Sequence, residues 1–151
     1  MRNVKPKKSL GQHFLTDKNI ASKIVNSLSY NGYSNLLEIG PGTGILTNEL
    51  IKKKINLKVI EIDDESVEYL RNNLISIRDN IINQDFLKIN LFDLFDGDSY
   101  AVIGNFPYNI SSQIVFRIIE SRDYVPEFCG MFQKEVAERI CEDYGSKKYG
   151  I

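Results

Sequence analysis

The chain has 151 residues, 42% of them apolar and 26% charged, with 10 Gly and 4 Pro, a globular composition that excludes a disordered or collagen-like chain. A chain of this length forms one domain and can bury roughly 70% of the surface it exposes unfolded, so it needs neither disulfide nor metal staples. Nineteen Lys and Arg against twenty Asp and Glu give a net charge of −1, which excludes a polycation that coats nucleic acid by bulk charge.

The distribution of charge is less even than its sum. Arg2, Lys5, Lys7 and Lys8 precede the first acid, Asp17, and form a basic amino-terminal arm. Ser9, Gly11 and Gln12 follow where a signal segment would be hydrophobic, and no apolar run reaches the ~20 residues needed to span a bilayer, so a cytoplasmic protein without a membrane partner is expected. Thr16 is placed to cap a helix over 17–29, with Ile20, Ile24, Val25 and Leu28 on one face. From Asn35 the pattern changes to short apolar runs alternating with amphipathic helices. Strands are predicted at 36–39, 57–62, 81–84, 100–104 and 127–133, and helices at 44–54, 64–75, 111–121 and 134–143, with a looser turn near 91–95. The last helix face of the central pattern carries Ile114, Val115, Ile118 and Ile119 and reads as scaffold, capped by Asn109, Ser111 or Ser112. The strands hold few alternating charges, as in a doubly wound, mostly parallel α/β sheet buried on both faces. Cys129 and Cys141 have no CxxC partner and read as unpaired structural thiols, with no metal site.

In such sheets ligands bind beyond the carboxyl ends of the strands, which directs attention to Gly40, Glu61, Asp85 and Asn105. The first strand runs into Gly40-Pro41-Gly42-Thr43-Gly44, where glycines admit close backbone approach and a helix start offers N–H groups. Gly42 and Gly44 are only two residues apart, whereas in a dinucleotide fingerprint the third glycine comes three residues after the second. That favours a nucleoside ligand without a pyrophosphate, S-adenosylmethionine being the candidate. Glu61, followed by Ile62, is placed to accept from vicinal ribose hydroxyls, with Asp63 or Asp64 as the cap of the next helix. Asp85 can accept from the exocyclic amine of an adenine while the N–H of Phe86 addresses a ring nitrogen.

The most informative tetrapeptide is Asn105-Phe106-Pro107-Tyr108. Pro107 restricts Phe106 to extended backbone, so the Phe106 carbonyl and the Asn105 side-chain oxygen form a rigid pair of acceptors for a planar amino group. Tyr108 offers a flat face on which a base can stack, worth ~1–3 kcal/mol. His13, the only histidine, reads equally as a structural or a ligand-contact residue and poorly as a general base. No Ser-His-Asp set, HExxH or paired catalytic carboxylates support hydrolysis.

Together LGQHFL (10–15), EIGPGTGILT (38–47), Glu61, QDFL (84–87), GNFPYNISS (104–112) and QKEVAERI (133–140) resemble the small-subunit ribosomal RNA adenine N6,N6-dimethyltransferases, which place two methyls on each of two adjacent adenosines. The likeness extends over essentially the whole chain. It implies a Rossmann-like S-adenosylmethionine-dependent methyltransferase fold and a small-subunit rRNA partner. His13 and Leu15 would border the methionine end of the cofactor, Gly40 and Gly42 approach it through backbone, Glu61 with Ile62 hold ribose, and Asp85 with Phe86 hold adenine. Asn105 would lie at the point of methyl transfer, with Phe106, Pro107 and Tyr108 completing the catalytic loop. The family often has Asn where His13 stands. Lys147 and Lys148, like the basic arm, resemble phosphate contacts.

Family members carry a seven-stranded sheet and a helical domain, so the expected organisation is an arm and helix over 1–34 and a partial methyltransferase domain over 35–151, truncated after the fifth strand and lacking the helical domain. A monomer is expected, with the open edge of the fifth strand as a route to dimerisation. Alternative readings are the large-subunit rRNA adenine methyltransferases of macrolide resistance, which share the glycine loop and an Asn-x-Pro-aromatic signature, and a non-catalytic RNA-binding or ribosome-assembly module.

Overall fold

The structure is a computed structural model that describes residues 4–142, so Arg2, Lys147 and Lys148 lie outside the described residues. The elements run α1 (Lys18–Ser27), β1 (Asn35–Ile39), α2 (Ile45–Leu50), β2 (Asn56–Glu61), α3 (Asp64–Asn73), β3 (Ile81–Asn83), β4 (Tyr100–Asn105), α4 (Ser111–Glu120), β5 (Phe128–Met131) and α5 (Lys134–Cys141). Short 3-10 turns occupy Lys8–Leu10, Ile75–Asn80 and Phe92–Phe95. The strands form one sheet in the order β3-β2-β1-β4-β5, with every neighbouring pair parallel. This is the doubly wound α/β architecture expected from the sequence.

β1 is the centre of the molecule, and all five of its residues are buried. Leu36 packs with Ala21, Val25, Leu46, Leu50 and Leu70 from α1 to α3 on one face. Leu37 and Ile39 point the other way, into a second core with Phe86, Leu94, Phe95, Ile114 and Ile118. The two-residue alternation of a strand thus supplies both cores from one apolar run. Parallel pairing puts Ile39 level with Ile60 of β2 and Gly104 of β4, so three strands end side by side.

Several local expectations are corrected. Asp17, not Thr16, caps α1: its Oδ1 accepts from the N–H groups of Asn19 at 2.7 Å and Ile20 at 3.2 Å, and a carboxylate also suits the positive end of the helix. Ile20 and Ile119 are exposed, because the buried stripes centre on Ala21–Val25 and Ile114–Ile118. α2 stops at Leu50, where the Lys52 and Lys53 N–H groups bond three residues back and tighten the chain into a turn. Ile110 is the N-cap of α4 and makes no side-chain cap; Asn109 and Ser111 bond elsewhere, to Ser9 and Tyr108. Asp63 precedes α3, but its carboxylate takes the Ser66 hydroxyl and the Lys7 ammonium instead of a helix N–H. Ile62 lies past the end of β2 and is 48% exposed. Both cysteines are free, Cys129 half-buried and Cys141 exposed, so only the first has a packing role. No helix among the described residues is long and apolar enough to cross a membrane.

Because Asp17 satisfies two orphan donors at once, Asp17→Ala is expected to lower stability by about 1 kcal/mol, read as an earlier urea midpoint at unchanged m-value.

Candidate functional site

A cleft of about 160 Å³ lies over the carboxyl ends of β1, β2 and β4. This is where the strand order reverses, so the chain leaves β1 toward α2 on one face and β4 toward α4 on the other. His13, Leu15, Gly40, Gly42, Glu61, Ile62, Asp85, Phe86, Asn105 and Pro107 all line it. Residues from five separated segments therefore converge on one cleft.

The glycine loop fits closely. Gly40 and Gly42 have φ of 66° and 55°, the left-handed region, and a Cβ on Gly42 would lie 2.8 Å from the Phe14 ring. A side chain is thus excluded at Gly42, where main chain faces the cleft instead.

Glu61 is 4% exposed and does more than face a ligand. Its Oε1 accepts from the N–H groups of Ile62 and Asp63, both at 3.0 Å, and Oε2 accepts from Gly42 N–H at 3.2 Å. The carboxylate therefore ties the glycine loop to the end of β2. Three of its four lone-pair positions are filled, so a second ligand hydroxyl competes with Gly42 N–H. Burial pushes the Glu61 carboxyl above the usual range, with the N–H groups of Asp63 and Gly42 pulling back.

Asp85 is fixed from within its own turn, its Oδ1 accepting from Leu87 N–H at 2.9 Å while its carbonyl accepts from Lys88 and Ile89 N–H. Phe86 is 4% exposed, with its ring in the second core. Within the tetrapeptide Asn105–Tyr108, Asn105 and Pro107 reach the cleft, whereas the Phe106 ring is 1% exposed and belongs to the core. Only the Phe106 main chain can serve a ligand. Tyr108 does not line the cleft; its ring stacks on His13, with centroids 4.3 Å apart and planes at 22°. Asn105 Nδ2 donates to the His13 carbonyl at 2.6 Å, which leaves Oδ1 as the acceptor end of the amide.

The arm is the wall that sequence reasoning undervalued. Leu10, Gln12 and Phe14 line the cleft beside His13 and Leu15. Tyr108 N–H donates to Gly11 O at 3.2 Å, and Asn109 Nδ2 donates to Ser9 O at 3.5 Å. At the arm's other end the Lys7 ammonium pairs with Asp63, and with Glu65 at 3.2 Å. Burial alone would raise the Asp63 carboxyl, but Lys7 and Ser66 more than reverse this and hold it below the usual range. Lys7 thus belongs to an internal pair that anchors the arm and is not a free phosphate contact. Glu38, also in the lining, was missed as a site residue. Its signal was a lone acid inside a strand otherwise buried on both faces.

The chain matches the family model described as ribosomal RNA adenine dimethylase over residues 3–151. It is 61% identical to ribosomal RNA small subunit methyltransferase A of Flavobacterium johnsoniae, covering 100% of this chain and 58% of that protein. The protein of the same name from Bacteroides fragilis is 53% identical, with 100% and 56% covered. The chain thus spans little more than half the length of these relatives. Among solved structures, a dimethyladenosine transferase from Plasmodium falciparum superposes with a TM-score of 0.73 at 29% identity, over 91% of this chain and 50% of that one. The 23S rRNA methyltransferase ErmE gives 0.72 at 31%, over 88% and 53%.

Glu38 also sets a pH dependence. It is 1% exposed, and its Oε2 and the Thr47 Oγ1 lack hydrogen-bond partners. Burial, which favours the protonated form, pushes its carboxyl from 4.5 up to about 8, only partly offset by the neighbouring Thr47 hydroxyl. The folded form then holds a proton that the unfolded form releases, and its stabilising effect, full below pH 4.5, is lost as pH rises through about 8. Urea titrations across that window are expected to show the wild type losing stability relative to Glu38→Gln; a pH-independent difference would mean that Glu38 is ionised throughout.

Proposed function

Because this chain belongs to the ribosomal RNA adenine dimethylase family, we propose that it carries the cofactor and target-base sites of an enzyme that uses S-adenosylmethionine to dimethylate the exocyclic amines of two adjacent adenosines in small-subunit rRNA. The observation that carries this reading is the convergence of the arm, the glycine loop, Glu61, Asp85 and Asn105 on one cleft. Support for the substrate class comes from the relatives named for small-subunit rRNA methylation. The same reading makes the protein a cytoplasmic monomer with small-subunit rRNA as its partner.

The cleft suits a nucleoside with an amino-acid tail: its floor is main chain at Gly40 and Gly42, and two acids on different strand ends, Glu61 and Asp85, face it. S-adenosylmethionine supplies a methyl group on a positively charged sulfur. Gly40, Gly42, His13 and Leu15 enclose the methionine end, Glu61 and Ile62 the ribose, and Asp85 and Phe86 the adenine. Asn105 Oδ1 and the Phe106 carbonyl accept the two hydrogens of the target amine, which turns its lone pair toward the methyl. As that nitrogen becomes tetrahedral and gains positive charge, these two fixed dipoles stabilise it more than they stabilise the ground state. Pro107 holds the Phe106 carbonyl in place, and the Tyr108 face that His13 does not cover takes the base. No side-chain base is required, since the amine brings its own lone pair and its proton leaves to water. Much of the barrier reduction is positional, for which alignment can supply ~7–11 kcal/mol.

Labelled cofactor incubated with unmodified small or large subunits is expected to label the small ones; label confined to large subunits, or in neither, would sink the reading. Asn105→Ala is expected to lower methyl transfer by about 10²–10³-fold while cofactor affinity, measured by calorimetry, falls by no more than about tenfold, because the lost oxygen acts mainly in the transition state and the lost Nδ2 bond to His13 is one of several that seat the arm.

A further inference from the structure

We propose that Arg117 is a positioning residue that sets the cleft's preference for adenine over other purines by clamping the loop that carries Asp85 and Phe86. The inference rests on the reading that this loop holds the adenine of the cofactor.

Arg117 is the seventh residue of α4, at the end of its second turn, and the Asn105–Tyr108 loop leads into this helix. Its guanidinium crosses to the loop after β3, donating from Nη1 to the Phe86 carbonyl and from Nη2 to the Ile89 carbonyl. The same group lies over the Phe86 ring, 5.5 Å from its centroid. Asp85 secures the turn from inside through Leu87 N–H, and Arg117 secures it from outside through the carbonyls. A planar fork holds two carbonyls in fixed directions with charge-assisted bonds, which a point-like ammonium does not. Arg117 lines no part of the cleft, so it acts only through this loop.

The chemical consequence lies in the pattern of donors and acceptors. Adenine offers a donor at its amine and an acceptor at N1, matching the Asp85 carboxylate and the Phe86 N–H. Hypoxanthine offers a carbonyl and an N1–H, the reverse at both positions. Rejection of the reversed pattern requires that Asp85 and the Phe86 amide cannot turn to follow it. Arg117 supplies that rigidity, and it links the adenine loop to the helix behind the target-base loop.

The test compares S-adenosyl-L-homocysteine with S-inosyl-L-homocysteine by calorimetry on the 151-residue chain. The wild type is expected to prefer the adenine ligand by about 10²-fold or more, and Arg117→Ala to cut that ratio below about tenfold. Arg117→Lys, which keeps the charge and can reach one carbonyl, is expected to fall between them, and it carries the test if the alanine variant does not fold. Loss of folding free energy alone would weaken both ligands equally, so an unchanged ratio in the variants overturns the proposal. A wild type that binds both ligands alike overturns the adenine reading itself, and this inference with it.

Discussion

The site depends on one constraint, the parallel pairing of β1 with β2 on one side and β4 on the other. Ile39, Ile60 and Gly104 share a level, so the chain segments that follow start from one line. Because β1 turns toward one face of the sheet and β4 toward the other, no crossover closes the gap between them. The crevice follows from topology, while the residues that line it need only be small, acidic or amide-bearing at the strand ends. The buried Glu61 carboxylate is tolerable there because the main-chain N–H groups of Gly42, Ile62 and Asp63 satisfy it.

The arm completes the enclosure by a different kind of bonding. Besides Leu15, which packs against the first core, it is held at one end by the Lys7–Asp63 pair and at the other by bonds to the Asn105–Asn109 loop. Gln12 Oε1 accepts from Lys7 N–H at 2.9 Å, which folds the arm back on itself. An arm fixed by polar contacts opens at lower cost than a packed helix, and that suits a wall that must admit a large polar ligand.

The sheet and its strand ends were legible because they depend on local rules: apolar runs of five or six residues, glycines after a strand, Pro107 restricting Phe106. The contacts that make the site rigid were not legible, because each joins segments far apart in sequence. Lys7 reads as one more positive charge until Asp63 is seen against it. Arg117 reads as the polar side of an amphipathic helix until its two carbonyls are found on another loop. Glu61 reads in sequence as a candidate ligand residue, yet its three backbone bonds, which make it a structural tie, require the folded turn. Thr16 and Asp17 compete as caps on sequence rules alone, and side-chain reach decides between them.

The Tyr108 amide makes its hydrogen bond to Gly11 of the arm. Its exchange with deuterated solvent therefore reports whether the arm is seated, with no label or substitution needed. A ligand that tightens the enclosure slows that single amide selectively, whereas general unfolding exposes the sheet interior as a block. The protein thus contains a built-in indicator of the state of its own wall.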